Sequence, residues 1–552
     1  MGAVHSLLSN VLLGIKTLLQ MNADLQDMLK RANASPGLPI SSPTNPYWLE
    51  DPPYPELVNI HSKTLPQEAD IVIIGSGITG AAVARSILYD AARKGRGKKS
   101  RDGDKLTPST TEDEKSISSD LPRIVVLEAR SLCSGATGRN GGHIKASPHE
   151  LFAQLRRMKI NEERAAALVR FQLAHLDVLT SLCEAEGWDA AECRKVETTD
   201  MYLTDEDREK AFEEVHELRK WVPELKIQMW DSEEAHEKFQ TNAYIKGAIS
   251  YTAGALWPFR FVSCVWKDLL DRFESQLSLE MNTPVTKVEA SPPLATNRSA
   301  YAVTTDRGTI RCNQIVHATN GFTTQFVPGL KNKMTGILAH MSAQRPGKAF
   351  PDLNGERSWS IFYNGSFDYV TQRPSHGGKP GDIMLGGGFS RSANEGLSTI
   401  GIWDDSKMDA LPVAHISGIF PTVFEPRWGA EGEGGRIKST WSGIVCPTGD
   451  LCPFVGPLDP KLTGREFGIS SQTPGPHAGE WVAAGYSGDG MVWAWLSGTA
   501  VGLMLNGSEN EVITKQPGML DGRLYDWFPR ELEPTAQRLK KANLENLLEL
   551  LL

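Results

Sequence analysis

Ile71-Val72-Ile73-Ile74-Gly75-Ser76-Gly77-Ile78-Thr79-Gly80 is an apolar run that enters a G-x-G-x-x-G turn, and a second apolar run, Ile124-Val125-Val126-Leu127, ends in Glu128. The pattern predicts a strand, a tight glycine turn, a helix over Ile78–Leu88 and a parallel strand whose acidic tip reaches a ribose. That is the grip on an adenine dinucleotide. Gly75 permits the sharp turn, Gly77 lets the backbone approach the pyrophosphate, and Gly80 brings helix and sheet together. Ser76, Ile78 and Thr79 complete a turn whose helix points its positive end at the phosphates. The acidic residue usually follows the glycines by about 20 positions; here it comes much later. The excess is Lys94 to Pro122, rich first in Lys, Arg and Gly, then in Ser, Thr, Asp and Glu, and it reads as a disordered surface insertion (94–122).

After Glu128, Ala129 and Arg130 comes a second glycine-rich loop, Cys133-Ser134-Gly135-Ala136-Thr137-Gly138-Arg139-Asn140-Gly141-Gly142-His143. A simple nicotinamide dehydrogenase has no use for it here. A flavoprotein does, because the backbone must pass close to the pyrophosphate and the isoalloxazine ring. Small residues let amide N–H groups point at the flavin, and Arg139 can offset phosphate or flavin charge. The expected cofactor is therefore FAD.

The 552 residues suffice for several domains and a large core, and a net charge of -9 argues against nucleic acid or anionic membrane as a general partner. Seven cysteines without a C-x-x-C pair or a His/Cys cluster point to reduced thiols in an intracellular, cytoplasmic protein and to no structural metal. Val4, Leu7, Leu8, Val11, Leu12, Ile15, Leu18 and Leu19 recur at helical spacing. Residues 1–33 therefore read as an amphipathic helix that docks on the protein's own surface or a partner. Peripheral membrane contact, with or without myristoylation of Gly2, is the alternative. Residues 34–65, rich in Pro, Ser and Asn, read as an extended arm across the body.

With both loops in view, the chain resembles the D-amino-acid oxidase-like family of FAD-dependent oxidoreductases, which includes glycine, sarcosine and gamma-glutamylputrescine oxidases. Gly135-Ala136-Thr137-Gly138-Arg139-Asn140-Gly141-Gly142 is most similar to the gamma-glutamylputrescine oxidase branch and its fungal relatives. Gln314 to Gly321, with Ala318, Thr319 and Gly321 at its turn, looks like the family's return strand. Trp481 to Met491, with Gly485, Tyr486, Ser487, Gly488, Asp489, Gly490 and Met491, looks like its last strand and helix start. The resemblance spans about Asp70 to Leu505. It implies an α/β fold: a Rossmann-like FAD-binding domain in three ββα layers, joined to an antiparallel-sheet substrate domain. The FAD domain is expected from 66–150, 249–330 and 431–510, with Val285 on the adenine side. A helical cover and substrate part over 151–248, a substrate sheet over 331–430 and a tail with a short helix over 511–552 complete the chain.

The resemblance implies hydride transfer from the carbon of a neutral amine to flavin N5, giving an imine that water hydrolyses, with a small-molecule amine as substrate and O2 or another electron acceptor. His143, Trp257, His340, Tyr363 and Tyr369 are the candidate pocket residues, and Arg260 and Arg373 the candidates for a substrate carboxylate. A tailoring flavoenzyme that oxidises an alcohol or a specialised metabolite at carbon is the second expectation, and a flavin-stabilised interaction scaffold the third. Met384 stands where the sarcosine-oxidase branch carries a lysine that helps oxygen react, which speaks against efficient oxidase activity. Cys446 lies too close to Thr448-Gly449-Asp450 to match that branch's flavin attachment, so non-covalent FAD is expected.

Overall fold

The computed structural model describes residues 22–101, 121–291, 299–465 and 478–545. The apolar periodicity from Val4 to Leu19 and most of the final helix expected over Leu539–Leu552 lie outside these. Residues 22–32 are helical, and Met28 and Ala32 pack with Ile400 and Leu544 on the body.

Ile71–Ile74 sits in the interior of a six-stranded sheet in the order Phe454–Pro457, Gly479–Ala484, Gln314–His317, Ile71–Ile74, Ile124–Leu127, Leu277–Glu280. Only Phe454–Pro457 runs antiparallel to its neighbour. A strand covered on both faces needs apolar residues at every position, which is why four consecutive β-branched side chains are found here. Ile71 and Ile73 pack toward the helices, Val72 and Ile74 toward a three-stranded sheet formed by Val285–Ala290, Tyr301–Thr305 and Gly308–Cys312. Each such side chain contributes about 1.5–3 kcal/mol by leaving water. On the helical side Ile78–Arg101 crosses Ala494–Leu505. A Cβ at Gly498 would stand 2.7 Å from Ala82 Cβ, and one at Gly502 2.4 Å from Ser86 Cβ, so the crossing exists only with glycine at both. The first helix continues through Lys94 to Arg101, into the stretch expected to be a disordered insertion.

The second layer is a nine-stranded mixed sheet whose path runs Ile437–Val445, Ile337–Gln344, Ile383–Gly387, Ser366–Gln372, Arg357–Tyr363, Arg194–Tyr202, Gly247–Ala255, His143–Ile144, with Ile227–Trp230 attached to Gly247–Ala255. Two features differ from expectation. Arg194–Tyr202 and Ile227–Trp230 are strands inside the region read as a helical cover, whose helices are Pro148–Arg157, Glu162–Glu186, Asp205–Trp221 and Ser232–Phe239. Gly247–Ala255, assigned by the 249 boundary to the cofactor domain, belongs to this sheet. The polar Thr198, Thr199 and Asp200 hid the central strand, because a buried strand is read from apolar residues and these three are fully buried. Among the described residues one helix, Glu162–Glu186, is long and apolar enough to cross a membrane, but Leu168, Phe171, Leu179 and Leu182 place it in the core.

Candidate functional site

The carboxyl ends of the parallel strands and one face of the nine-stranded sheet enclose a cavity. Ile74, Gly75, Gly77, Ile78, Thr79, Leu127, Glu128, Ala129 and Arg130 line it from the first and second strand ends, and Val285, Ala318, Thr319 and Gly321 from the neighbouring strands. The second loop contributes Gly135, Ala136, Thr137, Arg139 and Asn140, and the last loop Tyr486, Gly488, Gly490 and Met491. Met341, Tyr369 and Gly443 form the opposite wall.

Two classes of glycine show what the cavity is shaped for. At Gly80 a Cβ would meet Gly75 O at 2.1 Å, and at Gly138 Cys133 O at 2.4 Å, so internal packing alone requires glycine there. At Gly135 an added Cβ meets nothing within 4 Å, and at Gly490 only Tyr486 Cβ at 4.0 Å. Neither has a positive φ, yet both line the cavity. Their lack of a side chain serves an occupant of the cavity, as it does at Gly77, where only the Thr137 hydroxyl approaches, at 2.9 Å. A dinucleotide running along these backbones fits that demand.

Glu128 ties the two loops together. Its Oε2 accepts from Ser76 N at 3.1 Å and Ser76 Oγ at 2.8 Å, and its Oε1 from Arg130 N at 3.1 Å. Ser76 Oγ in turn accepts from Cys133 N at 2.8 Å. Of the expected cofactor residues away from the cavity wall, Ser134 accepts from Arg130 and Arg139 through its carbonyl, and Gly142 packs on Leu256. Gly485 N donates to Asn320, and Ser487 Oγ accepts from Thr448 N.

Arg139 is corrected from a free positive charge to a clamp. Its donors go to Ser134 O, Ser442 O, Thr44 O and Thr44 Oγ1, and it pairs with Asp405 at 3.3 Å. Burial lowers its pKa to about 10 despite Asp405. Arg130 donates to the same Asp405 at 3.1 Å. Together they hold the N-terminal arm over the cavity, where Gly37, Leu38 and Pro39 line it. Sequence composition marked an arm here but not its target. Cys446 also lines the cavity, and burial raises its thiol pKa, which keeps it protonated and unreactive toward a flavin.

The candidate pocket residues separate by strand alternation. Tyr369 and Met341 face the cavity, and Tyr369 donates only to the thioether of Met341, at 3.1 Å. His340, adjacent to Met341, points to the other face, where its Nε2 accepts from Asp409 N at 2.8 Å. Tyr363 is on that rear face too, donating to Asp368 at 3.1 Å and meeting His415 at 3.0 Å. Trp257 donates to Trp48 O at 2.7 Å and holds the arm. These three expectations are corrected. His143 Nε2 meets Ser358 Oγ at 2.9 Å, and burial with Lys145 and Arg194 lowers its pKa. Arg260 pairs with Asp51 and stacks 3.5 Å over the Trp257 ring, and Arg373 pairs with Glu192 at 2.6 Å, so both carboxylate candidates are engaged elsewhere.

Sequence reading missed a polar group behind Tyr369. Lys145 pairs with buried Asp200 and donates to Ser360, while Tyr251 donates to Asp200 at 3.0 Å. Asp489, in the last loop between the cavity-lining Gly488 and Gly490, has an exposed side chain. Desolvation raises its pKa to about 6, against the lowering effect of Lys145. Burial and Asp200 raise Glu150, nearby, to about 8.

A family model described as DAO, FAD dependent oxidoreductase, matches residues 70–502. No curated protein matches the sequence. In fold the chain is similar to L-proline dehydrogenase from P. horikoshii, with a TM-score of 0.57 at 18% identity, covering 87% of this chain and 100% of that one. Glycine oxidase from Geobacillus kaustophilus gives 0.54 at 15%, covering 81% and 96%. L-alpha-glycerophosphate oxidase from Mycoplasma pneumoniae, a structure with FAD bound, gives 0.52 at 13%, covering 82% and 98%.

Proposed function

Because the chain belongs to the DAO family of FAD-dependent oxidoreductases, we propose that it oxidises the C–N bond of a small amine or amino-acid derivative. FAD is the cofactor, and when bound it supplies the hydride acceptor. The Gly75–Gly80 turn and Glu128 are placed to hold its adenosine diphosphate part, Gly135–Asn140 and Gly488–Met491 the flavin part. Protonated Cys446 supports non-covalent binding, and the sequence of the second loop supports the gamma-glutamylputrescine oxidase branch.

One group on the cavity wall, the Tyr369 hydroxyl, and one in the loop beside it, the Asp489 carboxylate between the lining Gly488 and Gly490, can still bond a substrate, and that observation carries the reading. The Tyr369 hydroxyl has only a thioether as partner, and the Asp489 carboxylate is in no ion pair. An amine nitrogen offers the donors that a carboxylate accepts and, once neutral, the lone pair that a phenol donates to. Tyr369 and Met341 orient the C–H bond, the arm and sheet exclude water, and Asp489 can take the ammonium proton. The carbon then loses hydride while the nitrogen lone pair forms C=N, and water splits the imine to a carbonyl compound and an amine. Fully buried Met384 supports an acceptor other than O2. The likeness in fold to a proline dehydrogenase and a glycine oxidase supports C–N chemistry.

The test is the visible spectrum of the purified holoprotein under anaerobic conditions, before and after mixing with primary amines, secondary amines and amino acids. Bleaching of the oxidised flavin band is expected. A flavin bleached by alcohols and by no amine would replace this reading with oxidation at a C–O bond.

A further inference from the structure

The arm between residues 33 and 45 differs from the chain on either side of it. Ala32 packs with Met28, Ile400 and Leu544, and Pro46, Tyr47 and Trp48 are buried again, but none of the residues from 33 to 45 is buried. A stretch with so little buried surface is held by its hydrogen bonds and opens at low cost. Those bonds are made at two places. At the inner end Thr44 N donates to Asp405 O at 2.8 Å, and Thr44 also bonds Ser442 and Arg139. At the outer end the bonds go to one side chain, Gln325, whose Oε1 accepts from Ser35 Oγ at 2.6 Å and from Gly37 N at 3.1 Å.

The sheet fixes the path between these ends. Gln325 follows the strand Gln314–His317, Arg130 follows Ile124–Leu127, and Ile71–Ile74 lies between those two strands. Arg130 donates to Ile40 O at 3.4 Å. The chain from Gly37 to Ile40 therefore crosses the carboxyl end of Ile71–Ile74, and three extended residues span about 10 Å, the width of two strand spacings. Gly37, Leu38 and Pro39 line the cavity together with Gly75, Gly77 and Glu128. Leu38 is 40% exposed there. An apolar side chain left open on a cavity wall gains from an occupant that covers it.

We propose that residues 35–44 are a strap belonging to the FAD site: Leu38 packs on the bound dinucleotide, and the strap must lift from Gln325, hinging at Thr44, for FAD to enter or leave. The inference rests on FAD as the cofactor and is independent of the substrate. Residues 35–44 lie outside the family match over 70–502, so the site is closed by a segment that the match does not include. Strap docking and FAD binding support each other through one shared coupling free energy.

The test uses the full-length holoprotein and follows FAD release as the rise in free-flavin fluorescence after dilution. Gln325 does not line the cavity, and Gln325→Ala, which removes both outer bonds, should release FAD about 5- to 100-fold faster. Gln325→Glu, which keeps the acceptor, should release it at the wild-type rate. Leu38→Ala leaves the bonds in place and should release FAD about 3- to 30-fold faster; an unchanged rate there would remove Leu38 from the cofactor contact. Hydrogen–deuterium exchange over residues 35–44 should be at least about 10-fold slower in the holoprotein than in protein stripped of FAD. Release at the wild-type rate from Gln325→Ala, or equal exchange with and without FAD, would overturn the strap and leave the cofactor assignment standing. A chain that takes up no FAD would remove both.

Discussion

Glu480 and Asp489 come from opposite ends of one strand and loop, and the protein treats their charges in opposite ways. Glu480 lies behind the cofactor sheet. Burial alone would raise its pKa, but Arg465 at 2.6 Å and His317 at 2.7 Å more than offset this and hold it at about 2. Asp489 lies in the loop between the cavity-lining Gly488 and Gly490, in no ion pair, and desolvation carries its pKa up to about 6. The difference teaches how position sets charge: a carboxylate buried inside the fold is neutralised there, whereas one in a loop at the edge of the cavity remains without an ion pair.

The largest expected effects set the two classes of glycine against each other. Gly77→Val should fold and be colourless, because its side chain projects into the cavity, whereas Gly80→Val should fail to fold against Gly75 O. Flavin-to-protein absorbance and circular dichroism measure the two, and a folded, fully flavinylated Gly77→Val would break the cofactor assignment. Arg465→Ala should cost about 1–3 kcal/mol by leaving the buried Glu480 carboxylate with His317 alone, read as a lower Tm at neutral pH. In the wild type this contribution is present above the unfolded carboxyl pKa and is lost as pH falls toward about 2.

Glu150→Gln probes the other side. Its carboxyl ionises near 4.5 when unfolded and near 8 when folded, so wild-type stability falls as pH rises between those values. The glutamine variant should gain on the order of 1–3 kcal/mol over wild type at pH 9 and nothing at pH 4, measured by thermal melts of the holoenzyme. Equal melts at both pH values would show that Glu150 is solvated. Glu128→Ala should weaken FAD by about 1–3 kcal/mol, and unchanged affinity would place the ribose elsewhere. Tyr369→Phe should slow anaerobic bleaching about two- to tenfold; an unchanged rate would remove its hydroxyl from the substrate.

The cofactor half was legible because its signals are local. Four apolar residues run straight into a glycine turn, a second apolar run ends in an acidic residue, and the backbone geometry these short motifs demand is the site itself. The substrate half was legible only as strands. Tyr369, His340 and Tyr363 look alike as aromatic or imidazole side chains on strands, but one residue of register decides which face each takes, and that is set by pairing with distant strands. Asp489 sat in plain view inside a recognised loop, and nothing near it in sequence showed that Lys145 and Gln172 would come close to it.

By itself the sequence determined the dinucleotide grip and the class of cofactor, since these rest on short motifs whose backbone demands are local, while the two-part architecture followed from the resemblance to a family. Tertiary structure decided the rest: that the arm of Gly37–Pro39 covers the cavity, that Arg139, Arg260 and Arg373 are committed, and that one carboxylate is not. Whether a charge is neutralised depends on which groups lie within a few ångströms in space, and separation along the chain carries no record of that distance.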